Sequence, residues 1–313
     1  MPQFQNYIAG EWVDSSNHAS FENRNPADNN DVIGTFPSAT VADVERAIHA
    51  AATALPAWAT MPPPARGAIL DKAAQIIDAR QDEFAKALTR EEGKTFAEAK
   101  GEVLRARDIF KYYAGEGWRF GGQVLPSNIG GELLYTRREP LGVIALVTPW
   151  NFPIAIPAWK MAPALVYGNT VVFKPASLVP HSALLLAEAL IQAGLPKGVL
   201  NVVTGSGRTV GDTLVSSKQI AGVSFTGSVS VGMGIYEKAM KNLTRVQLEM
   251  GGKNPTIVLA DADISKAVNI AVAGGFGLTG QACTATSRVI VEEAAADAFA
   301  AALLAGLHDR LRV

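Results

Sequence analysis

Between residues 143 and 259 short apolar runs alternate with helical stretches. The runs cover 143–147, 170–173, 199–203, 223–225, 246–248 and 256–259, and helical patterns at 154–165, 180–193, 209–216 and 230–240 lie among them. A buried run with no polar alternation is what a strand covered on both faces requires, and helices between such runs supply the crossovers. The alternation predicts an α/β chain of βαβ units around a mainly parallel sheet. Ligand sites in such folds lie at the carboxyl ends of the strands, so the residues closing these runs carry the most information.

The N-terminal half reads as scaffold. Residues 1–37, rich in Asn, Pro and Asp, predict short strands and turns. Thr40-Val41-Ala42-Asp43 has the form of a capping box in its acidic variant, opening an amphipathic helix through about Ala57. Pro62-Pro63-Pro64 breaks the chain, and helical patterns follow at 65–79, 81–88 and 94–113. Ile69, Ala73, Ile76 and Ile77 share one helical face at core spacing, and the charges of these helices are expected on a solvated face. Glycine pairs at 121–122 and 130–131 flank runs at 123–125 and 132–138. This predicts a protruding hairpin, either an oligomer contact or a plain surface loop.

The chain carries 28 Lys and Arg against 29 Asp and Glu, a net charge of -1. That balance offers no electrostatic case for nucleic acid or an anionic membrane. Residues 1–10 lack the basic and apolar regions of a signal peptide, and no run is long enough to span a bilayer. With one cysteine no internal disulfide can form, and a cytosolic, reducing address is expected.

That cysteine, Cys283, sits in Gly280-Gln281-Ala282-Cys283-Thr284-Ala285-Thr286-Ser287-Arg288, where small neighbours leave its sulfur accessible. A thiol becomes a strong nucleophile when its surroundings favour the thiolate, although a lone cysteine is most often a small buried hydrophobe. The run 143–147 ends in Thr148-Pro149-Trp150-Asn151-Phe152-Pro153. A stiffly held Asn151 amide can donate to a developing oxyanion, or it can satisfy a turn. Lys174, with Pro175, Ala176 and Ser177 after it, closes the next run and suits a ribose hydroxyl or phosphate; a lone Lys is more often solvated.

The stretch Gly205-Ser206-Gly207-Arg208-Thr209-Val210-Gly211 resembles a dinucleotide fingerprint whose third glycine comes one residue late, so a turn before a helix is the better reading. Phe225-Thr226-Gly227-Ser228 joins a buried strand to a helix and suits a pyrophosphate. Glu249, followed by Met250, Gly251 and Gly252, closes another buried run, where desolvation would raise its pKa towards that of a general base. The alternative is a carboxylate paired with Lys253. The four histidines, 18, 49, 181 and 308, are scattered and no metal-binding motif is present, so no metal is expected and a Cys–His dyad is disfavoured.

Taken in order, Pro149-Trp150-Asn151-Phe152-Pro153, Phe225-Thr226-Gly227-Ser228, Leu248-Glu249-Met250-Gly251-Gly252 and Gly280-Gln281-Ala282-Cys283 resemble the NAD(P)-dependent aldehyde dehydrogenase superfamily. The resemblance spans nearly the whole chain. It implies a Rossmann-like cofactor domain over 1–120 and 142–250, an oligomerisation hairpin over 121–141, and the first part of an α/β catalytic domain over 251–313. The implied mechanism has the Cys283 thiolate attack an aldehyde, with the Asn151 amide and the Cys283 N–H holding the oxyanion. Hydride leaves to the nicotinamide and Glu249 activates water to release the acid. Thr148, Pro149, Trp150, Lys174, Ala176, Ser177, Gly207, Gly211, Phe225, Thr226, Gly227, Ser228, Met250 and Gly251 are the implied cofactor contacts.

NAD-preferring members often carry Glu where this chain has Ser177, so NADP is expected to be accepted alongside NAD. Succinic semialdehyde enzymes place pocket arginines where this chain has Trp159 and Gly277, which argues against that substrate. The run Ile154-Ala155-Ile156-Pro157-Ala158-Trp159-Lys160 and Tyr167-Gly168-Asn169-Thr170 look more like 2-oxoglutarate semialdehyde (2,5-dioxopentanoate) dehydrogenases. Family members are considerably longer than 313 residues. The resemblance therefore implies a chain lacking much of the catalytic domain, and a homo-oligomer, dimer or tetramer, in the full-length form. An inactive nucleotide-binding fragment and a redox-free esterase remain alternatives.

Overall fold

Two adjacent left-handed residues, Ala9 (φ 56°) and Gly10 (φ 87°), turn the chain between β1 (Asn6–Ile8) and β2 (Glu11–Val13). Positive φ at both central positions is the geometry of a tight hairpin turn. A second antiparallel pair, β3 (Ser20–Asn25) and β4 (Asp28–Pro37), follows. The computed structural model describes residues 1–119 and 121–310, the side chains of 308–310 excepted. Phe120 and residues 311–313, which close the expected segments 1–120 and 251–313, lie outside the described residues, as does the side chain of His308. One compact unit comprises Met1–Glu249 and a second Met250–Val313.

The first long helix, α1 (Val41–Thr60), begins at the expected box: Thr40 Oγ1 accepts the Asp43 N–H at 3.2 Å, and the Asp43 carboxylate accepts the Thr40 N–H at 2.9 Å. It runs three residues beyond Ala57. The next helix, α2 (Pro63–Ala79), starts inside the triple proline, because a residue without an N–H costs nothing in a first turn. Leu70, Ala73, Ala74 and Ile77 are its fully buried stripe, with Ile69 and Ile76 at its margins. The helix α3 (Gln81–Glu92) stops at left-handed Gly93 (φ 94°), and a second capping box, Thr95 with Glu98, opens α4 (Phe96–Glu116). Gly67 lets α2 lie close on α4: a Cβ there would stand 2.4 Å from the Ala114 carbonyl oxygen.

The charges of these helices, and of the link between α3 and α4 where Lys94 lies, do not all face water, contrary to expectation. Arg66, Glu91, Lys94 and Glu102 are buried, each meeting polar groups supplied from elsewhere in the chain. The expected hairpin is present as β5 (Val124–Leu125) and β6 (Leu134–Tyr135), antiparallel and exposed, with shorter strands than the apolar runs suggested.

Next come β7 (Val143–Val147), α5 (Ala155–Val166), β8 (Thr170–Lys174), α6 (Pro180–Gln192), β9 (Leu200–Val202), α7 (Asp212–Ser216), β10 (Ile220–Gly227), α8 (Val229–Ala239) and β11 (Arg245–Met250). The seven-stranded sheet has the order β11-β10-β7-β8-β9-β1-β2. The β10–β7, β7–β8 and β8–β9 pairs are parallel, and the β1–β2 hairpin adds antiparallel strands at the far edge. All five residues of β8 are buried, as a central parallel strand demands. The core around this sheet includes Trp58, Phe110, Leu146, Phe173 and Leu186.

The second unit pairs β12 (Asn254–Val258) in parallel with β13 (Thr286–Val291) through α9 (Ile264–Phe276), and α10 (Glu293–Arg310) follows. Its smaller core centres on Val258, Val268, Ala271, Val272 and Phe299. No helix among the described residues is long and apolar enough to cross a membrane.

Candidate active site

Parallel register brings the candidate stretches of the first unit to one edge of the sheet. Val147 pairs with Lys174 on one side and with Phe225 on the other, so Thr148 and Pro175, which leave β7 and β8, follow at the level of Thr226 near the end of β10. The Thr148 N–H reaches the Lys174 carbonyl at 3.4 Å. Ser177 Oγ donates to the Gly205 carbonyl at 2.9 Å, joining the loops after β8 and β9.

The loop after β7 carries Asn151, half-buried between exposed Trp150 and half-buried Phe152. Its backbone is gripped by two buried residues that the sequence reading did not select. Lys94 Nζ donates to the Asn151 carbonyl at 2.7 Å and meets Glu102 Oε2 at 2.5 Å. Glu102 Oε1 accepts the N–H groups of Ile154 and Ala155 at 2.9 and 3.0 Å.

Lys174 is only 5% exposed, not solvated, and its Nζ donates to the Pro175 carbonyl at 2.9 Å. Burial pulls its pKa down to about 8. Since the unfolded value is 10.5, the unfolded chain binds more protons between pH 8 and 10.5, and this lysine lowers stability below that window. Lys174→Met is therefore expected to raise stability at pH 7 by about 2–3 kcal/mol, an advantage that fades as pH rises through 8 to 10.5. Denaturant unfolding at pH 7 and pH 10 checks this; a variant less stable at both would refute it.

The stretch at 205–211 is more helical than expected. Gly207–Gly211 is a π-helical turn leading directly into α7, and Ser206 Oγ accepts the Thr209 N–H at 3.1 Å. A Cβ on Gly207 or Gly211 would meet nothing within 4 Å, so both glycines leave open space. Ser228 caps α8, its Oγ accepting the Val231 N–H at 3.4 Å. At Gly227 the space of a Cβ is filled by the Phe225 ring, whose Cζ would lie 2.5 Å away. The missing side chain there accommodates an aromatic ring of the chain itself.

Glu249 departs from the sequence expectation. It lies exposed on β11, the edge strand of the sheet, where exposed and half-buried residues alternate, so the burial expected to desolvate it is absent. In the second unit, Leu278 (φ 51°), Thr279 (φ 53°) and Gly280 (φ 74°) are all left-handed and lead into the cysteine segment. A left-handed non-glycine residue costs on the order of 1 kcal/mol. Cys283 itself is exposed, which removes the reading as a small core hydrophobe.

Residues 12–313 match the aldehyde dehydrogenase family. The chain belongs to the aldehyde dehydrogenase family. It is 48% identical over 306 residues to an alpha-ketoglutaric semialdehyde dehydrogenase of Bacillus subtilis, covering 98% of this chain and 63% of that protein. It is 46% identical over 288 residues to a 2,5-dioxopentanoate dehydrogenase of Saccharolobus solfataricus, covering 91% of this chain and 60% of that one. A crystal structure of an E. coli NADP-dependent enzyme superposes with TM-score 0.95 at 41% identity, over 98% of this chain and 63% of the other. The chain thus spans less than two thirds of the length of these aldehyde dehydrogenase relatives.

One titratable residue that the sequence reading named only as part of the run 154–160 is buried against this sheet. Lys160, 8% exposed, donates to Ser224 Oγ at 2.8 Å and Gln247 Oε1 at 3.1 Å. Burial lowers its pKa to about 8, against an opposing pull from the Glu249 charge. The available signal was a single lysine within the apolar helix 154–165. Among the described residues no group of three or more His, Cys, Asp or Glu is arranged to hold a metal.

Proposed function

We propose that the protein oxidises an aldehyde to the carboxylic acid with NAD(P), and that the aldehyde is a semialdehyde of the 2,5-dioxopentanoate type. The reading is carried by the exposed thiol of Cys283, the single cysteine of a family member. Its sulfur adds to the aldehyde carbon, and the oxygen, now bearing negative charge, accepts hydrogen bonds from the Asn151 amide and the Cys283 N–H. The nicotinamide, when bound, supplies the hydride acceptor. Oxidation leaves a thioester on Cys283, which water activated by Glu249 hydrolyses.

The cofactor contacts are proposed along the carboxyl edge. Buried Lys174 has donor capacity beyond Pro175 for a ribose hydroxyl, the first turn of α8 offers N–H groups after Ser228, and Gly207 and Gly211 leave room. Thr148, Pro149, Trp150, Ala176, Ser177, Phe225, Thr226, Gly227, Met250 and Gly251 complete the proposed set. Ser177, without a carboxylate, does not repel a 2′-phosphate, so NADP is taken alongside NAD. The assignment of 1–120 and 142–250 to cofactor binding, 121–141 to oligomerisation and 251–313 to catalysis goes with this reading. The exposed Val124, Leu125, Leu134 and Tyr135 support self-association of the intact protein, which light scattering showing a monomer would count against.

The Arg105 guanidinium stands 5.8 Å from the centroid of the Trp159 ring, so α4 supplies a cation beside the position where Trp159 stands. Such a group suits the distal carboxylate of a semialdehyde. Arg105→Leu is expected to lower kcat/KM for 2,5-dioxopentanoate about 10- to 100-fold through KM, and to change a simple aliphatic aldehyde less than about 3-fold. Equal losses on both would reject the role. NADPH formation with a semialdehyde panel tests the activity itself, and separates it from nucleotide binding alone and from ester hydrolysis without redox.

A further inference from the structure

Lys94 and Glu102 form an ion pair whose side chains are each only 1% exposed. A buried ion pair is a poor source of stability, because desolvating two charges offsets most of their attraction. What this pair does is hold backbone. Its two members engage three backbone groups within five residues: the carbonyl of Asn151 and the N–H groups of Ile154 and Ala155. The Lys94 ammonium also stands 4.6 Å from the centroid of the Phe152 ring. The middle of the turn between β7 and α5 and its entry into α5 are therefore tied to one charged pair. The pair is anchored in turn: the Thr95–Glu98 box fixes the start of α4, and the Glu92 carboxylate accepts the Lys94 N–H at 3.0 Å and lies 3.9 Å from its Nζ.

Fixing a residue's own carbonyl constrains its ψ, and with it the direction in which its side chain leaves the backbone. We infer that Lys94 and Glu102 are positioning residues for Asn151, holding its amide where charge develops in the reaction; the inference rests on the oxyanion role proposed above. An apolar pair of the same volume would fill the space but leave three backbone groups without these partners. Displacing a catalytic donor by about 1 Å can cost on the order of 10²-fold in rate.

The test is a double-mutant cycle on the intact protein. Lys94→Met is expected to lower kcat about 10- to 100-fold, with KM for the aldehyde and for NADP changed less than about 2-fold. In an Asn151→Ala background the same change should lower kcat less than about 2-fold further, while its effect on thermal stability stays the same in both backgrounds. Lys94→Arg should restore part of kcat. Glu102→Gln, which keeps an acceptor for Ile154 and Ala155, should show the same pattern if Lys94→Met does not fold. Fully additive losses in kcat, or an unchanged kcat, would overturn the inference. The ¹⁵N side-chain amide signal of Asn151, assigned by its loss in Asn151→Ala, reads the same point without turnover. It should shift, broaden or double in Lys94→Met but not in Ile77→Val, a core control of modest cost; an unmoved signal overturns the positioning role. A wild-type protein that makes no NADPH but shows this amide response would reject the proposed activity alone.

Discussion

Replacing Cys283 by alanine is expected to remove aldehyde-dependent NADPH formation, a loss on the order of 10⁴-fold or more. No second thiol exists in the 313 residues to substitute for it. Because Cys283 is exposed, its truncation removes no core contact, and stability should change by less than about 0.5 kcal/mol. Separating the two readouts matters: a large loss of turnover with an unchanged unfolding curve assigns chemistry to the sulfur. Measurable NADPH formation by the alanine variant would end the nucleophile reading. Ester hydrolysis that survives only in the wild type, with no NADPH formed, would favour the redox-free alternative.

The second large effect is on stability. Arg66→Met is expected to destabilise the protein by about 3–5 kcal/mol. Arg66 is 2% exposed, and its guanidinium collects the carbonyls of Val166 at 2.8 Å, Ala59 at 3.2 Å, Trp58 at 3.3 Å and Met61. These lie at the carboxyl ends of α1 and α5, where unpaired carbonyls and the helix dipole favour a cation. Burial lowers the arginine's pKa from its usual value, yet the surrounding oxygens hold the charge in place. Methionine would fill the volume but strand those carbonyls. Arg66→Lys should recover only part of the loss, since one ammonium cannot match the guanidinium fork. Chemical denaturation reads the difference directly, and a change below about 1 kcal/mol would refute the role.

Much of the fold was legible because its signals are local. The run 143–147 is β7 without adjustment, and the Thr40–Asp43 box marks the start of α1 because cap and partner are three residues apart. The loop motif around Asn151 and the stretch around Cys283 could likewise be selected from residue type and neighbours. What stayed hidden involves partners distant in the chain. Lys94 and Arg66 read as ordinary helix charges, but their partners Asn151 and Val166 lie 57 and 100 residues away. Periodicity identifies which face of a helix is apolar; it does not say which polar group another segment will bring to it.

The sequence by itself determined the class of chain and its family: alternating buried strands and helices, with four motifs in a fixed order. Periodicity and residue chemistry are properties of short windows and survive without coordinates. Tertiary structure alone decided exposure and support. It put Glu249 on an edge strand, filled the space at Gly227 with the Phe225 ring, and tied the Asn151 loop to a buried ion pair. Burial depends on what packs against a residue, and that is settled only when segments far apart in the chain share one core.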